Sequence, residues 1–424
     1  MSKARIISAV ELGSSKISTL IAQVQQDPNT YEESVNVIGV SSVNSKGVKK
    51  GQIINIEETV EAAIESIESA ERMAGYNLDS AFLSLGGASV VSQNSHGVVA
   101  VSDPDGEIKE PDVDRVIEAA SAISLPASRE LVHVIPREYT VDGEGGVKDP
   151  IGMSGVRLEV ETHLVTASTS SIKNIKKAVN EIGVNIEELV FSGLAASEAV
   201  ATPTEKELGC VVIDIGGGTT SLTVFKDGSL AYSGVIPIGA KNVTNDLAIG
   251  LRISLESAEK VKLFLSKADK DKQLKKTPEE DSVDLSREGV EEIKKVSRKT
   301  LVEGIIRPRL NEIFSMVGLE LEKAGLANSI PSGVIVTGGG AETVGVVESA
   351  KRTLALPVRI GIPRGIGGLV DDILTPSFAV PVGLLIYASK RQVPENVSSF
   401  SKKLRLPTKG IIGKLIESIK ELLP

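Results

Sequence analysis

The start of the chain alternates short apolar runs with turns of small and polar residues. Arg5–Val10 reads as a buried strand ending in an acid and a small-residue turn, Glu11-Leu12-Gly13-Ser14-Ser15. A second strand is expected at Lys16–Val24 and, after a turn at Asp27-Pro28-Asn29, a third at Val35–Val43. The same order recurs later. Cys210–Ile213 is a strand, Asp214-Ile215-Gly216-Gly217-Gly218-Thr219-Thr220 an acid-led turn, and Ser221–Phe225 and Leu230–Ile236 are strands joined at Lys226-Asp227-Gly228. Apolar positions at helical spacing follow each copy, over Ile56–Ala74 and Val243–Leu265. A βββα unit present twice predicts an α/β fold of two similar lobes facing a cleft.

Three further segments have patterns of their own. Strands at Ala81–Leu85, Leu131–Tyr139 and Val156–Val165 with a helix at Pro111–Ile123 make a small α/β subdomain inserted in the first lobe. Lys267–Ser286 is densely charged and reads as an exposed loop, followed by an expected helix carrying Lys294, Lys295, Arg298 and Lys299. On that helix Lys294 and Arg298 would share a face. At the far end, Gln392–Lys409 is a polar linker. Beyond it Ile411, Ile412, Leu415, Ile416, Ile419, Leu422 and Leu423 fall within an arc of about 140° on a helix, with Lys, Glu and Ser opposite. Packing of that helix back on the body is one reading. The linker favours the other, a helix lying in a membrane interface, drawn to an anionic leaflet by Lys402, Lys403, Arg405 and Lys409 at roughly 1 kcal/mol each.

Composition narrows the choices. A net charge of −9 argues against nucleic acid as a partner, since binding needs a basic face. Cys210 is the only cysteine, which excludes an intrachain disulfide and a Cys-based zinc site, and it reads as a small buried strand residue in a reducing cytoplasm. The three histidines, His96, His133 and His163, fall in the insert without metal-ligand spacing. No apolar run approaches the roughly 20 residues of a membrane span.

The chemistry lies in the paired turns. Glycines let a backbone approach phosphate closely, and free N–H groups with the hydroxyls of Ser14, Ser15, Thr219 and Thr220 supply donors. Two carboxylates, Glu11 and Asp214, one per lobe, would repel across a cleft unless a hard cation sat between them. Mg²⁺ held through water and ligand phosphates meets that need.

The two turns resemble the phosphate loops of the superfamily of actin, DnaK-type chaperones and sugar kinases. Val334-Ile335-Val336-Thr337-Gly338-Gly339-Gly340-Ala341 is similar to its adenosine loop, and Glu259 and Lys262, one helical turn apart, resemble a pair that meets the adenosine. Glu11 in the first loop, the Val336–Gly340 phrase and Ala379-Val380-Pro381-Val382-Gly383-Leu384-Leu385 are similar to the FtsA family of bacterial division proteins, although Pro381 departs from the small residue expected. That resemblance implies ATP and Mg²⁺ as cofactors. Gly13, Ser14, Ser15, Lys16, Asp214, Gly216, Gly217, Gly218, Thr219, Glu259, Lys262, Gly338, Gly339 and Gly340 would hold the nucleotide, with the metal at Glu11 and Asp214.

The resemblance also implies an organisation. Lobe 1 (1A) would comprise residues 1–80 and 167–206, with an inserted 1C subdomain at 81–166 that mediates filament contacts. Lobe 2 (2A) would comprise 207–242 and 331–391, with subdomain 2B at 243–330 receiving the FtsZ tail through Lys294 and Arg298. A linker at 392–409 and a membrane-targeting helix at 410–424 would complete a peripheral protein on the cytoplasmic face of the inner membrane at the division site. Other divisome proteins would join FtsZ, membrane lipid and further copies of the chain as partners. The alternatives are a phosphotransferase or chaperone ATPase of the same fold, and a PilM-type pilus-assembly adaptor. Ser192 stands where an ATPase needs Gln or Glu to orient water, which implies weak or no hydrolysis; Glu198 is a misaligned substitute.

Overall fold

The computed structural model describes residues 5–26, 33–270, 281–288, 290 and 295–391. The expected turn at 27–29, Lys294, the linker and the amphipathic segment therefore lie outside the described residues.

Two sheets repeat one plan. In the first, the order is Asn185–Phe191, Ser80–Leu85, Arg5–Leu12, Lys16–Gln26, Glu33–Asn44 and Gly367–Gly368. In the second it is Val358–Ile360, Val334–Thr337, Cys210–Ile215, Thr220–Lys226 and Ser229–Ile236, continued by strands of the insert. In each sheet the repeat's first strand is antiparallel to its hairpin partner and parallel to the neighbour on its other side. The central parallel strands Cys210–Ile215 and Val334–Thr337 are buried along their whole length, so they read as nearly unbroken apolar runs. The strand Ser80–Leu85, assigned from sequence to the insert, lies inside the lobe 1 sheet between Arg5–Leu12 and Asn185–Phe191.

Helix Ile56–Ala74 forms where expected. Asn55 caps its start by accepting from Glu58 N at 3.3 Å, and Gly75 ends it in the left-handed region. Its Ala62, Ala63, Ile67 and Ala70 face the sheet so closely that a Cβ on Gly39 would lie 2.5 Å from Ala70 O. The second copy differs. The helix expected over Val243–Leu265 is two helices, Ala240–Leu251 and Leu255–Lys270, because Arg252 turns at φ 57° and Ser254 Oγ accepts from Ser257 N to start anew. Between the lobes, helix Ala379–Ser389 packs on Ser192–Val200, where a Cβ on Gly383 would overlap Ala195 O. Pro381 is tolerated because it sits in the first turn, where no helical N–H is needed.

The insert has its own core of Ile108, Val116, Ala120, Tyr139, Val141, Leu158 and Val160. Its strands are Val91–Ala100, Arg129–Val141, Glu144–Val147 and Arg157–Ser168, with helix Glu110–Ser121 across them. In the charged region of lobe 2 the expected helix forms only from Arg298 on. Lys295–Ser297 is a strand paired with Ser282–Asp284, and helix begins only at Arg298 and Lys299. Leu301, Val302 and Ile306 of the following π-helix are anchored in the lobe 2 core. Among the described residues no helix is long and apolar enough to cross a membrane.

Candidate functional site

The penultimate residue of each leading strand is the acid of its repeat. Glu11 pairs in register with Ser18, and Asp214 with Ser221, so the two lobes present the acids from equivalent places. Both line a cavity of about 190 Å³ between the lobes, together with Gly13, Ser14, Ser15, Lys16, Gly216, Gly217, Gly218, Thr219, Gly338 and Gly339. Burial pushes the Glu11 carboxyl up to about 7, with Lys16 opposing. Asp214 is raised by burial and then by Glu11, again with Lys16 opposing. Lys16 is itself pushed down by burial. Its Nζ lies 3.3 Å from the centre of the Phe378 ring and has no hydrogen-bond partner. Glu11 Oε2 is likewise buried without one.

The glycines do different work. Gly338 has φ 82°, and a Cβ there would fall 2.2 Å from Asp214 Oδ1; on Gly340 it would meet Ile215 Cγ2 at 2.3 Å. These two fit the third loop against the second. Gly339 is open, with only Ser377 Cβ within 4 Å of an added carbon, at 3.8 Å. The two phosphate-type loops touch: a Cβ on Gly217 would lie 2.9 Å from Ser15 Cβ, and one on Gly218 2.9 Å from Lys50 Cα. Lys241 Nζ crosses from lobe 2 to donate to Ser14 O at 2.7 Å, while Gly51 N donates to Ser14 Oγ at 2.8 Å. With the loops in contact, the cavity is under the roughly 300 Å³ at which ligand pockets begin.

Glu259 and Lys262 meet each other rather than the cavity. Lys262 Nζ donates to Glu259 Oε2 at 2.8 Å and to Thr244 Oγ1 at 3.0 Å, a cluster joining the two helices after the second repeat, and neither lines the cavity. Ser192 does line it, with its Oγ 3.2 Å from Ser221 Oγ. Glu198 is held in ion pairs with Lys206 and Lys390, which keep its carboxyl low despite burial, so it is not directed at the cleft. His133 and His163 are occupied by hydrogen bonds to Phe191 N, Asn94 and Ser233. Sequence reasoning missed Gly239 and Lys241. A Cβ on Gly239 would come 2.5 Å from Gly216 O, so this glycine lets helix Ala240–Leu251 abut the second loop. The signal was the Gly-Ala-Lys that follows Ile236-Pro237-Ile238.

Two family models match the chain: the SHS2 domain inserted in FtsA, over residues 87–166, and cell division protein FtsA, over residues 211–383. Cell division protein FtsA of Pseudomonas aeruginosa is 36% identical over 388 residues, covering 92% of this chain and 90% of that protein. The Borreliella burgdorferi protein of that name is 38% identical over 407 residues, covering 95% and 96%. The chain belongs to the FtsA family.

As an FtsA-family member it is an actin-like cell division protein, and the family model places the start of the insert after the Ser80–Leu85 strand. A PilM–PilN type IV pilus biogenesis complex aligns with TM-score 0.61 at 18% identity, covering 91% of this chain and 99% of that one. MreB5 of Spiroplasma citri bound to ADP aligns at 0.50 and 15%, covering 91% and 96%. These two share the fold with this FtsA-family chain.

Proposed function

We propose that this FtsA-family protein binds ATP with Mg²⁺ between its lobes, polymerises, binds the FtsZ tail and anchors the Z ring to the cytoplasmic membrane. The observation that carries the reading is the pair of buried acids, Glu11 and Asp214, at equivalent ends of two repeated strands beside glycine loops. The donor set suits a hard cation. Glu11 Oε2 lacks a hydrogen-bond partner, and burial has raised both carboxyls, so neutralisation by Mg²⁺ would relieve a standing cost. Glu11 and Asp214 would hold the ion, whose charge would offset that of the phosphates. Backbone amides of Gly13–Ser15 and Gly217–Thr219 would face the phosphates, with Lys16 as a cation beside them. The shared fold with MreB5, solved with ADP and with AMPPNP, supports this assignment.

Slow hydrolysis follows from the lining. Among the described residues that line the cavity there is no Gln, and no carboxylate besides Glu11 and Asp214, to orient a water. The protein would therefore act as a nucleotide-bound scaffold. Arg298, half-buried at the first helical position after strand Lys295–Ser297, remains the proposed FtsZ-tail contact. Lys294 is proposed beside it on the sequence alone. The segment Ile411–Leu423 is proposed to lie in the membrane interface at the division site, where linking many weak tails in a filament raises avidity by orders of magnitude. Liposome co-sedimentation with ATP tests this. The full chain should pellet and a chain ending at Lys409 should not; equal pelleting of the two contradicts the tether.

A further inference from the structure

The insert is rooted in one lobe and bonded to the other. Its chain leaves the lobe 1 sheet through Gly86, which lines the cleft, and Gly87, which packs so tightly on Gly51 that a Cβ on Gly51 would lie 2.6 Å from Gly87 N. Arg129 Nη2 secures this root by donating to Ser89 O at 2.8 Å and Thr166 O at 3.0 Å. His133 Nε2 accepts from Phe191 N at 2.9 Å, and the next residue is Ser192 in the cleft.

On the lobe 2 side the connection is of another kind. Strands Val91–Ala100 and Ser229–Ile236 share a single ladder pair, Val91 with Gly234. Beyond it side chains take over. Ser92 Oγ donates to Ser233 O at 2.6 Å and accepts from Ser233 N at 3.0 Å, and Asn94 Nδ2 donates to Ala231 O at 3.4 Å. His163 spans Asn94 Oδ1 at 2.7 Å and Ser233 Oγ at 3.0 Å. Ser229 Oγ donates to Arg137 O at 2.7 Å, and Lys148 reaches the Asp227 carbonyl. Ser233 is paired with Thr223, on the strand that leaves the Asp214–Thr219 loop. The seam is thus one strand away from that loop.

We propose that this polar seam couples the cleft to the insert: lobe movement that parts the phosphate-type loops shears the Ser92–Ser233 contacts, and a seam held shut holds the loops together. The geometry allows little else. An insert fixed at Gly86 on one lobe and at Ser233 on the other cannot follow both when they separate. The weaker attachment yields first, and that is the side-chain seam with one ladder pair. The insert would then report the state of the cleft at whatever surface it offers to other molecules. The inference rests on the nucleotide reading only for the event that parts the loops.

The test locks the seam and reads the loops, in the full chain without nucleotide. Ser92 Oγ lies 2.6 Å from Ser233 O and 3.0 Å from Ser233 N, which puts a cysteine pair at these two positions close together. The single native cysteine, Cys210, is buried with its thiol pushed up to about 12, so it will not compete. In Ser92→Cys/Ser233→Cys, oxidation should slow amide hydrogen exchange at Gly51 and Gly216–Thr219 about tenfold, reversed by reductant. Ser92→Val, which needs no disulfide, removes both Ser92 bonds and should speed exchange at those amides by about threefold or more. Exchange that is the same oxidised and reduced, and the same in Ser92→Val as in the unaltered chain, overturns the coupling. Calorimetric titration of the unaltered chain with ATP and Mg²⁺ judges the nucleotide reading separately.

Discussion

Gly338 turns the third loop with φ 82°, and its missing side chain leaves room for Asp214 Oδ1. Gly338→Ala therefore forces strain and a clash with a buried carboxylate, and should lower stability by about 2–4 kcal/mol in denaturant unfolding. Gly339→Ala, whose new carbon meets only Ser377 at 3.8 Å, should change stability by less than about 0.5 kcal/mol. Equal losses in the two variants would contradict the packing described. The acids and glycines of this site were legible because chemistry at phosphate loops restricts residue type locally. The buried, unbonded state of Glu11 Oε2 was not, nor was the stacking of Lys16 on Phe378, since both arise from residues far apart in sequence. Glu259 and Lys262 show the converse. Their spacing was read correctly as a pair, but only the fold shows Thr244 completing a cluster away from the cavity.

Elements with a strong apolar period were legible almost to their ends, as with helix Ile56–Ala74 and the two hairpin repeats. Strand Val91–Ala100 was missed because Ser92–His96 is a polar run and the ladder comes from Arg157–Ser168 far along the chain. The helix break at Arg252 could have been read from Gly250 and Ser254, a weak stop followed by a cap. The cationic helix after the charged loop starts only at Arg298 because a strand partner, Ser282–Asp284, takes Lys295–Ser297. Arg298→Glu should still abolish binding of an FtsZ tail peptide in fluorescence anisotropy while the melting curve stays put; an unchanged Kd would return Arg298 to a structural role. The insert carries a pH prediction. Burial pushes His163 down to about 3 from an ordinary 6.5, so the folded state binds fewer protons than the unfolded one between those values. Stability is therefore full above 6.5 and lost as pH falls, by about 1.4 kcal/mol per unit from this residue. Unfolding measured from pH 7 to 5 should fall more steeply in the unaltered chain than in His163→Gln; parallel curves would contradict a buried neutral imidazole.

For the whole molecule, the duplication decides the architecture: two sheets in the same strand order place two acids across one cleft. That was readable because a repeat shows itself in one sequence. The bridging of both lobes by the insert was not, since it depends on side chains meeting across the Val91–Gly234 pair. The proposed anchor makes a separable prediction. Ile412→Glu with Ile419→Glu puts charges at the centre of the apolar arc and should abolish liposome pelleting while the melting temperature of the body holds. A lowered melting temperature with normal pelleting would make the segment a core helix instead. The nucleotide cleft is the central claim, and isothermal titration calorimetry of the purified chain with ATP, with and without Mg²⁺, tests it most directly. The account predicts Mg²⁺-dependent binding that is lost in Gly339→Asp, with phosphate release slow in the unaltered chain; binding that is absent, indifferent to Mg²⁺ or unchanged in Gly339→Asp would contradict it.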